Sequence, residues 1–178
     1  MATVAAGVVG YHVALTNFSA EARRIKRFAE VIDAHSAPEE PILFIATSVD
    51  PGYPVLMSLN RRPGSRYLHA FPIPMLYRSV TNHGQDFPYR RPFEQPPAER
   101  QFLAELGTDA LRNRPALIFV CMRNPCDFCP AGFRVDEYLQ RTGWQAQYMK
   151  AYRLLGTVPG FAVYGRNQGN RMSVAGNT

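Results

Sequence analysis

Two short stretches of the chain are almost wholly apolar, and neither alternates apolar with polar residues. They read ILFIAT at Ile42–Thr47 and ALIFVCM at Ala116–Met122. A strand that is covered on both faces has this continuous pattern, whereas a half-exposed strand alternates. Pro41 and Pro115 stand directly before the two stretches and separate them from the preceding segments. We therefore expect both stretches to be neighbouring strands at the centre of a sheet.

Three other segments repeat apolar residues at helical spacing. Ser19 is placed to cap a helix over Ala20–His35, and a second helix is expected over Ala98–Arg114. A third helix, over about Arg134–Gln147, is expected to be interrupted near Gly143. The apolar residues of the first two helices each fall on one face: Ile25, Phe28, Ala29 and Ile32, then Phe102, Leu103, Leu106, Ala110 and Leu111.

The remaining apolar runs are short. Tyr152–Thr157 and Phe161–Gly165 flank the turn Val158-Pro159-Gly160 and are expected to be strands. Val55–Leu59 is a further short apolar run, and Tyr67–Phe71 is expected to be a strand that the following prolines confine to a sheet edge. The alternation of strands and helices predicts an α/β fold, a layered sandwich with a mostly parallel, Rossmann-like central sheet flanked by helices.

The chain divides into one domain and two terminal segments. A single α/β domain is expected over residues 19–166, preceded by an apolar segment at 1–18 and followed by a polar flexible tail at 167–178. The apolar run Ala2–Leu15 has 14 residues, fewer than the roughly 20 that cross a bilayer. It also lacks a basic start, since the first arginine is Arg23. A buried strand or helix, a weak signal core and the end of a transmembrane helix remain open.

The net charge of +6 arises almost entirely from arginine, with 18 arginines and only two lysines. Arginine binds planar carboxylate and phosphate groups well, so an anionic ligand or a lipid headgroup is one interpretation and a solvated surface is the other. The basic residues are scattered, and no nucleic-acid-binding module is recognisable. We therefore expect no nucleic-acid partner.

The segment Asp50–Arg78, which we call the aromatic–arginine segment, carries the main candidate residues for binding. The loop after a strand's carboxyl end is the usual ligand crevice of an open α/β sheet, and this segment follows the first predicted strand. Its candidate substrate-binding residues are Tyr53, Arg66, Tyr67, Tyr77 and Arg78. In the alternative interpretation the tyrosines pack the sheet and the arginines are solvated. The following proline-rich stretch, Tyr77–Pro97, is expected to be a lid, a mobile loop or a linker.

Three cysteines, Cys121, Cys126 and Cys129, offer the other reactive groups. An iron–sulfur cluster needs four thiolates, and a zinc site would need a histidine that is remote in sequence, so we expect no metal and no cofactor. Cys121 lies in an apolar run and is expected to be a core residue. Cys126 and Cys129 form a CxxC that fits either a thioredoxin-like thiol oxidoreductase or a disulfide that staples a loop.

Signatures of nucleotide-binding and hydrolytic enzymes are absent from the sequence. It contains no GxGxxG, P-loop, GxSxG or HExxH and no paired-carboxylate motif. We therefore assign no catalytic residue.

An ordered set of motifs carries a resemblance to a known family. The sequence ILFIATSVDPGYPVL is followed by RPGSRYLHAFPIPMLYR, then by RPALIFV and YRLLGTVPGFAVYGR. Over about residues 20–166 the chain resembles the soluble C-terminal domain that follows the membrane-spanning part of bacterial mannosyltransferase-like glycosyltransferases.

The resemblance implies an accessory domain and not an enzyme. In such proteins the catalytic acids lie in the membrane region, so the domain is expected to be non-catalytic and to contact a lipid-linked sugar phosphate or an acceptor. Ala2–Leu15 would end the last transmembrane helix, and the membrane region would belong to the same or a neighbouring chain. The domain would be membrane-associated on the extracytoplasmic face, where a Cys126–Cys129 disulfide persists. A soluble cytoplasmic protein and a partner-binding scaffold domain are the alternatives.

Overall fold

The two apolar stretches form neighbouring parallel strands, as predicted. In the computed structural model, which describes residues 20, 22–80, 86–123 and 129–167, strand β1 is Ile42–Ile45 and strand β2 is Leu117–Cys121. They pair in parallel, with Ile42 opposite Leu117. Every residue of both strands is buried. The chain therefore has a fully covered two-stranded centre.

The other two strands run antiparallel, so the predicted mostly parallel Rossmann-like sheet is wrong. Strand β3 is Tyr152–Val158, strand β4 is Phe161–Arg166, and the sheet order is β1-β2-β4-β3. β4 is antiparallel to both β2 and β3. The physical reason is the two-residue connection Pro159-Gly160, since parallel strands need a crossover of a dozen or more residues. The described chain is a mixed α/β fold with an open four-stranded mixed sheet.

Six helices accompany the sheet in the described residues. Helix α1 covers residues 22–35; the others are α2 Gly52–Ser58, α3 Pro72–Met75, α4 Pro97–Asn113, α5 Val135–Arg141 and α6 Trp144–Tyr148. A short 3-10 helix covers Pro92–Glu94. The predicted second helix is confirmed as α4, and the predicted interruption falls at Gly143, whose φ of 75° ends α5 before α6 begins. The predicted cap Ser19 lies outside the described residues.

Two short runs differ from the pattern expected of strands. The Val55–Leu59 run lies mostly in α2, where Val55 and Leu56 are buried while Met57 is exposed. Tyr67–Phe71, predicted as an edge strand, is irregular. Its Ala70 N–H donates at 2.6 Å to the carbonyl of Ala46, the residue directly after β1. Pro72 opens α3 directly afterwards, which leaves no room for a longer strand.

Helical side chains contact both faces of the central strands. Phe28 of α1 packs against the rings of Phe44 and Phe119, at centroid distances of 6.0 and 5.6 Å. Ile45, the next residue after Phe44, instead borders a small apolar gap with Leu106 of α4 and other residues of α4 and α5. Neighbouring residues of a strand point to opposite faces. The core is therefore built on both sides of β1.

The terminal segments of the sequence fall outside the description. The apolar run Ala2–Leu15 and all of the predicted tail after Asn167 lie beyond the described residues. Among the residues described, no helix combines the length and the apolar character needed to cross a bilayer.

The contact between α4 and α6 yields a first prediction. A Cβ atom added at Gly107 would lie 2.3 Å from the Tyr148 ring. Gly107→Ala gains up to about 1 kcal/mol of helix propensity, but we expect it to lower the free energy of unfolding by a net ~1–2 kcal/mol through overpacking. Urea denaturation measures this, and Tyr148→Leu in the same chain should remove the penalty. A stabilised single variant would show that the two helices do not meet at this contact.

Candidate functional site

Helix α4 carries two fully buried carboxylates, and both face the aromatic–arginine segment. Glu99 and Asp109 are each 0% exposed. Ten residues separate them, about 15 Å along the helix axis. Each binds side chains that the chain brings across from residues 65–90. The helix thus fastens the candidate segment at two separate points.

Asp109 holds the aromatic–arginine segment against α4 at the first of these points, by binding Arg66. The Arg66 Nε donates to Asp109 Oδ2 at 3.0 Å and Nη2 donates to Oδ1 at 2.9 Å, so that the guanidinium and the carboxylate form two parallel hydrogen bonds. The Arg66 backbone N–H and the Ser65 hydroxyl donate to the same carboxylate. Arg66 lowers the pKa of Asp109 to about 2. The Arg66 side chain remains 44% exposed, and its Nη1 lies 3.9 Å from Glu105.

Tyr67 lies on the same part of α4. Its hydroxyl donates to Glu105, and its ring lies 4.5 Å from that of Phe102. The hydrogen bond to Glu105 raises the pKa of the Tyr67 hydroxyl. Arg66 and Tyr67 are therefore held side by side, each by an acid of the helix.

Glu99 holds the segment against α4 at the second point, where Tyr77 is buried. Tyr77 and Tyr138 donate their hydroxyls to Glu99 Oε1 at 2.9 and 2.8 Å, and Arg90 donates to Oε2 at 3.0 Å. Burial raises the pKa of both tyrosines. Tyr77 is 0% exposed, so the predicted contact between Tyr77 and a ligand would need a surface that this side chain does not have. The interpretation in which aromatics pack the core describes Tyr77 better.

The proline-rich stretch after Tyr77 packs against the same point where it is described. The Phe87 and Tyr89 rings lie 5.7 and 6.2 Å from the Tyr77 ring, and Phe133 joins them from the chain before α5. The Tyr89 hydroxyl donates to the Arg134 carbonyl. Residues 81–85 lie outside the description. Tyr77, Phe87 and Tyr89 of this stretch thus belong to an aromatic cluster, which a lid or a linker would not require.

The other candidate residues lie on the surface. Tyr53 on α2 is 44% exposed and borders a shallow depression together with Tyr67 and Leu68. Arg78 is exposed, and its side chain makes no hydrogen bond or ion pair with the described residues. It follows Tyr77, at the Glu99 end of the segment. The structure therefore brings Tyr53, Arg66 and Tyr67 to one region and leaves Tyr77 and Arg78 at another.

The two described cysteines differ in whether they form a disulfide. Cys121 is free and buried, and its thiol donates to the Arg123 carbonyl at 2.9 Å. Cys129 is disulfide-bonded. Cys126 lies outside the described residues, so its predicted pairing with Cys129 stays a prediction. Within the described part of the chain, no group of three or more metal-ligating side chains occurs.

Thiol labelling tests the position of Cys121. Burial raises the pKa of this thiol, which lowers the thiolate fraction that reacts. We expect a thiol-specific reagent at neutral pH to label Cys121 at least about 100-fold more slowly in the native protein than in urea. Native labelling at the denatured rate would contradict the burial of β2.

A cavity among the described residues lies away from the candidate residues. It has a volume of about 540 Å³ and opens at the amino end of β2, between the end of α1 and the last residues of β4. Its two acids are both paired, Asp33 with Arg61 and Glu40 with Arg166. No motif in the sequence indicated this groove.

Sequence reasoning missed Glu99, Asp109 and Arg90. One signal was present, because Glu99 and Asp109 stand three residues from Phe102 and Leu106 respectively, on the buried side of the helix. An acid at an apolar position of a helix needs a partner, and arginine is the usual one.

Comparison with known proteins identifies no relative. The chain matches no protein-family model, no curated protein and no solved structure.

Proposed function

We propose that this chain is a non-catalytic, membrane-associated accessory domain of a glycosyltransferase-like protein. Its ligand is a lipid-linked sugar phosphate or the acceptor of the sugar, contacted through Tyr53, Arg66 and Tyr67. The observation that carries the proposal is the Arg66 guanidinium, which Asp109 holds by two parallel hydrogen bonds while 44% of the side chain stays exposed.

A guanidinium that is already oriented suits a phosphate group. Arginine has five N–H donors, and Asp109 takes one from Nε and one from Nη2. Three donors remain, and the two on Nη1 lie beyond hydrogen-bond distance of Glu105. Because Asp109 fixes the plane of the guanidinium, a phosphate would bind without the entropy cost of ordering a long side chain.

The surface beside Arg66 suits the rest of such a ligand. Tyr53 offers an exposed aromatic face, and the exposed side chains Met57 and Leu68 are apolar. A sugar packs on an aromatic face, and an isoprenoid chain needs apolar surface. A polar headgroup and a lipid tail on one molecule therefore match the mixture of residues at this site.

The two buried acids of α4 have a structural role in this proposal. Glu99 accepts from two tyrosines and one arginine, and Asp109 accepts from Arg66, Arg112 and Ser65. A carboxylate held by so many donors is poorly suited to accept a proton from a substrate. The membrane region of the same or a neighbouring chain supplies the catalytic acids, and the domain lies on the extracytoplasmic face.

Binding of a polyprenyl-phosphate sugar in detergent micelles tests the proposal. We expect Tyr53→Ala to weaken binding at least about fivefold, since an aromatic contact contributes about 1 kcal/mol or more. Leu154→Ala removes an apolar side chain on β3 that is even more exposed, 60% against 44% for Tyr53, and as the control it should bind normally. Arg66→Lys should also weaken binding, because lysine keeps the charge opposite Asp109 and lacks paired donors. Unchanged affinity in both Tyr53→Ala and Arg66→Lys would refute the site.

A further inference from the structure

We infer that one corner of the domain, made of the basic start of α1 and the exposed face of α2, docks on an anionic bilayer surface. This inference deepens the proposed function, because it names the surface that would hold the domain beside a lipid-linked ligand. It shares Tyr53, Met57 and Leu68 with the proposed ligand site, but it adds Val49 and the basic start of α1 and rests on a different physical argument.

The apolar half of this surface consists of four exposed side chains, which we call the apolar patch: Val49, Tyr53, Met57 and Leu68. They are 41–64% exposed and make up four of the seven large apolar side chains exposed in the described chain. Tyr53 and Met57 lie four residues apart on one side of α2. The Tyr53 N–H donates to the carbonyl of Val49, which lies just before the helix. Leu68 joins them across the depression that Tyr53 borders. Exposed apolar side chains grouped along one segment in this way are typical of an interaction surface.

The charged half lies at the start of α1. Four of the five residues 23–27 are basic, reading RRIKR, and Arg23, Lys26 and Arg27 are exposed. Lys26 lies 4.0 Å from Glu30, four residues further along the helix. Clusters of basic residues of this density bind anionic headgroups, at about 1 kcal/mol for each lysine or arginine near the surface.

One ion pair brings the two halves together. The Arg24 guanidinium donates to the Asp50 carboxylate, and Asp50 follows Val49 directly. Arg27 stands three residues after Arg24, so the two side chains are neighbours on the helix surface. Phe44 also contacts both helices, since it packs on Phe28 and lies against Gly52. Basic and apolar side chains therefore share one corner of the fold.

A bilayer is the occupant that this combination favours. An interfacial surface combines apolar side chains, which enter the headgroup boundary, with basic side chains that bind the lipid phosphates. The three exposed basic side chains Arg23, Lys26 and Arg27 lie beside the exposed apolar side chains and give the surface both of these features. A protein partner would meet the apolar patch but would need its own acidic surface opposite RRIKR.

Vesicle co-sedimentation of the full chain tests the inference with two pairs of variants. Val49→Ser/Met57→Ser alters the apolar patch, and its control, Leu111→Ser/Leu154→Ser, alters two leucines that are each 60% exposed elsewhere. Arg23→Gln/Lys26→Gln/Arg27→Gln alters the basic cluster. Its control changes the same number of exposed basic residues elsewhere: Arg141→Gln/Lys150→Gln/Arg153→Gln. The vesicles contain phosphatidylcholine with or without phosphatidylglycerol and no lipid-linked sugar.

We expect the wild-type chain to prefer the anionic vesicles. The patch variant should bind about tenfold more weakly, and the basic variant about fivefold more weakly for each charge removed at low salt. Both controls should bind as the wild type does.

If both the patch variant and the basic variant also bind as the wild type does, Ala2–Leu15 or another surface holds the vesicle and the inference fails. It also fails if the wild type ignores vesicles and instead forms a dimer that Val49→Ser/Met57→Ser dissolves. Because no sugar is present and Tyr53 is unaltered, failure here leaves the ligand proposal standing, and the reverse also holds.

Discussion

Replacing Glu99 with alanine is expected to lower the free energy of unfolding by about 3–5 kcal/mol, because it removes one member of a buried charged pair. The variant leaves the Tyr77 and Tyr138 hydroxyls without an acceptor in a fully buried cluster. It also leaves the Arg90 guanidinium, which lies 4.4 Å from the Tyr77 ring centroid, without its carboxylate. Urea denaturation at neutral pH measures the change.

Two further variants show whether the loss of stability in Glu99→Ala comes from the buried hydrogen bonds of Glu99. Glu30→Ala removes an exposed carboxylate that lies 4.0 Å from Lys26, and we expect it to cost less than about 0.5 kcal/mol. Tyr138→Phe removes one of the three donors and should cost about 1–2 kcal/mol. If Glu99→Ala is no more harmful than Glu30→Ala, the aromatic cluster is not organised around this acid.

Replacing Asp109 with alanine is the second large expected effect, again about 3–5 kcal/mol. The variant leaves Arg66 without the acceptor of two parallel hydrogen bonds and removes the partner of Arg112. Since Arg66 then loses its fixed orientation, we also expect weaker binding of the polyprenyl-phosphate sugar. Asp136→Ala, which removes a partner of Arg134 on α5, is the control and should leave that binding unchanged.

The pH dependence of stability follows from the same residue. Arg66 lowers the pKa of Asp109 in the folded protein to about 2, while an aspartate in the unfolded chain has a pKa of about 3.9. The folded state therefore favours the charged form of the carboxylate. This stabilises the fold by about 2.5 kcal/mol, and the effect is complete above about pH 5. It is lost as the pH falls from about 4 through 2. Asp109→Asn should flatten this part of the stability curve, and an unchanged acid transition would contradict the pairing with Arg66.

The centre of the fold could be predicted because its signals are local. Ile42–Ile45 and Leu117–Cys121 are continuous apolar runs, and a strand buried on both faces needs such a run. The direction of the remaining strands depends on which neighbour each one joins. β4 pairs with β2 as well as with β3, and the sequence of Phe161–Arg166 does not encode that choice.

The candidate site was predictable only in part. The composition of Asp50–Arg78 indicated a segment rich in tyrosine and arginine, but which residues are exposed depends on acids some 22 to 44 residues away. Tyr77 can be buried because its hydroxyl donates a hydrogen bond to Glu99. Arg66 is oriented because its guanidinium is paired with the buried carboxylate of Asp109. Long-range pairs of this kind leave no periodic signal at the segment itself.

A carbon-13 NMR titration of the Asp109 carboxyl group tests most directly whether α4 holds the aromatic–arginine segment through Arg66. The account predicts an apparent pKa of about 2 in the folded protein, and a return toward the ordinary value in a folded Arg66→Gln variant. An Asp109 carboxyl group that titrates near pH 4 in the wild-type chain, as a solvated aspartate does, would contradict it.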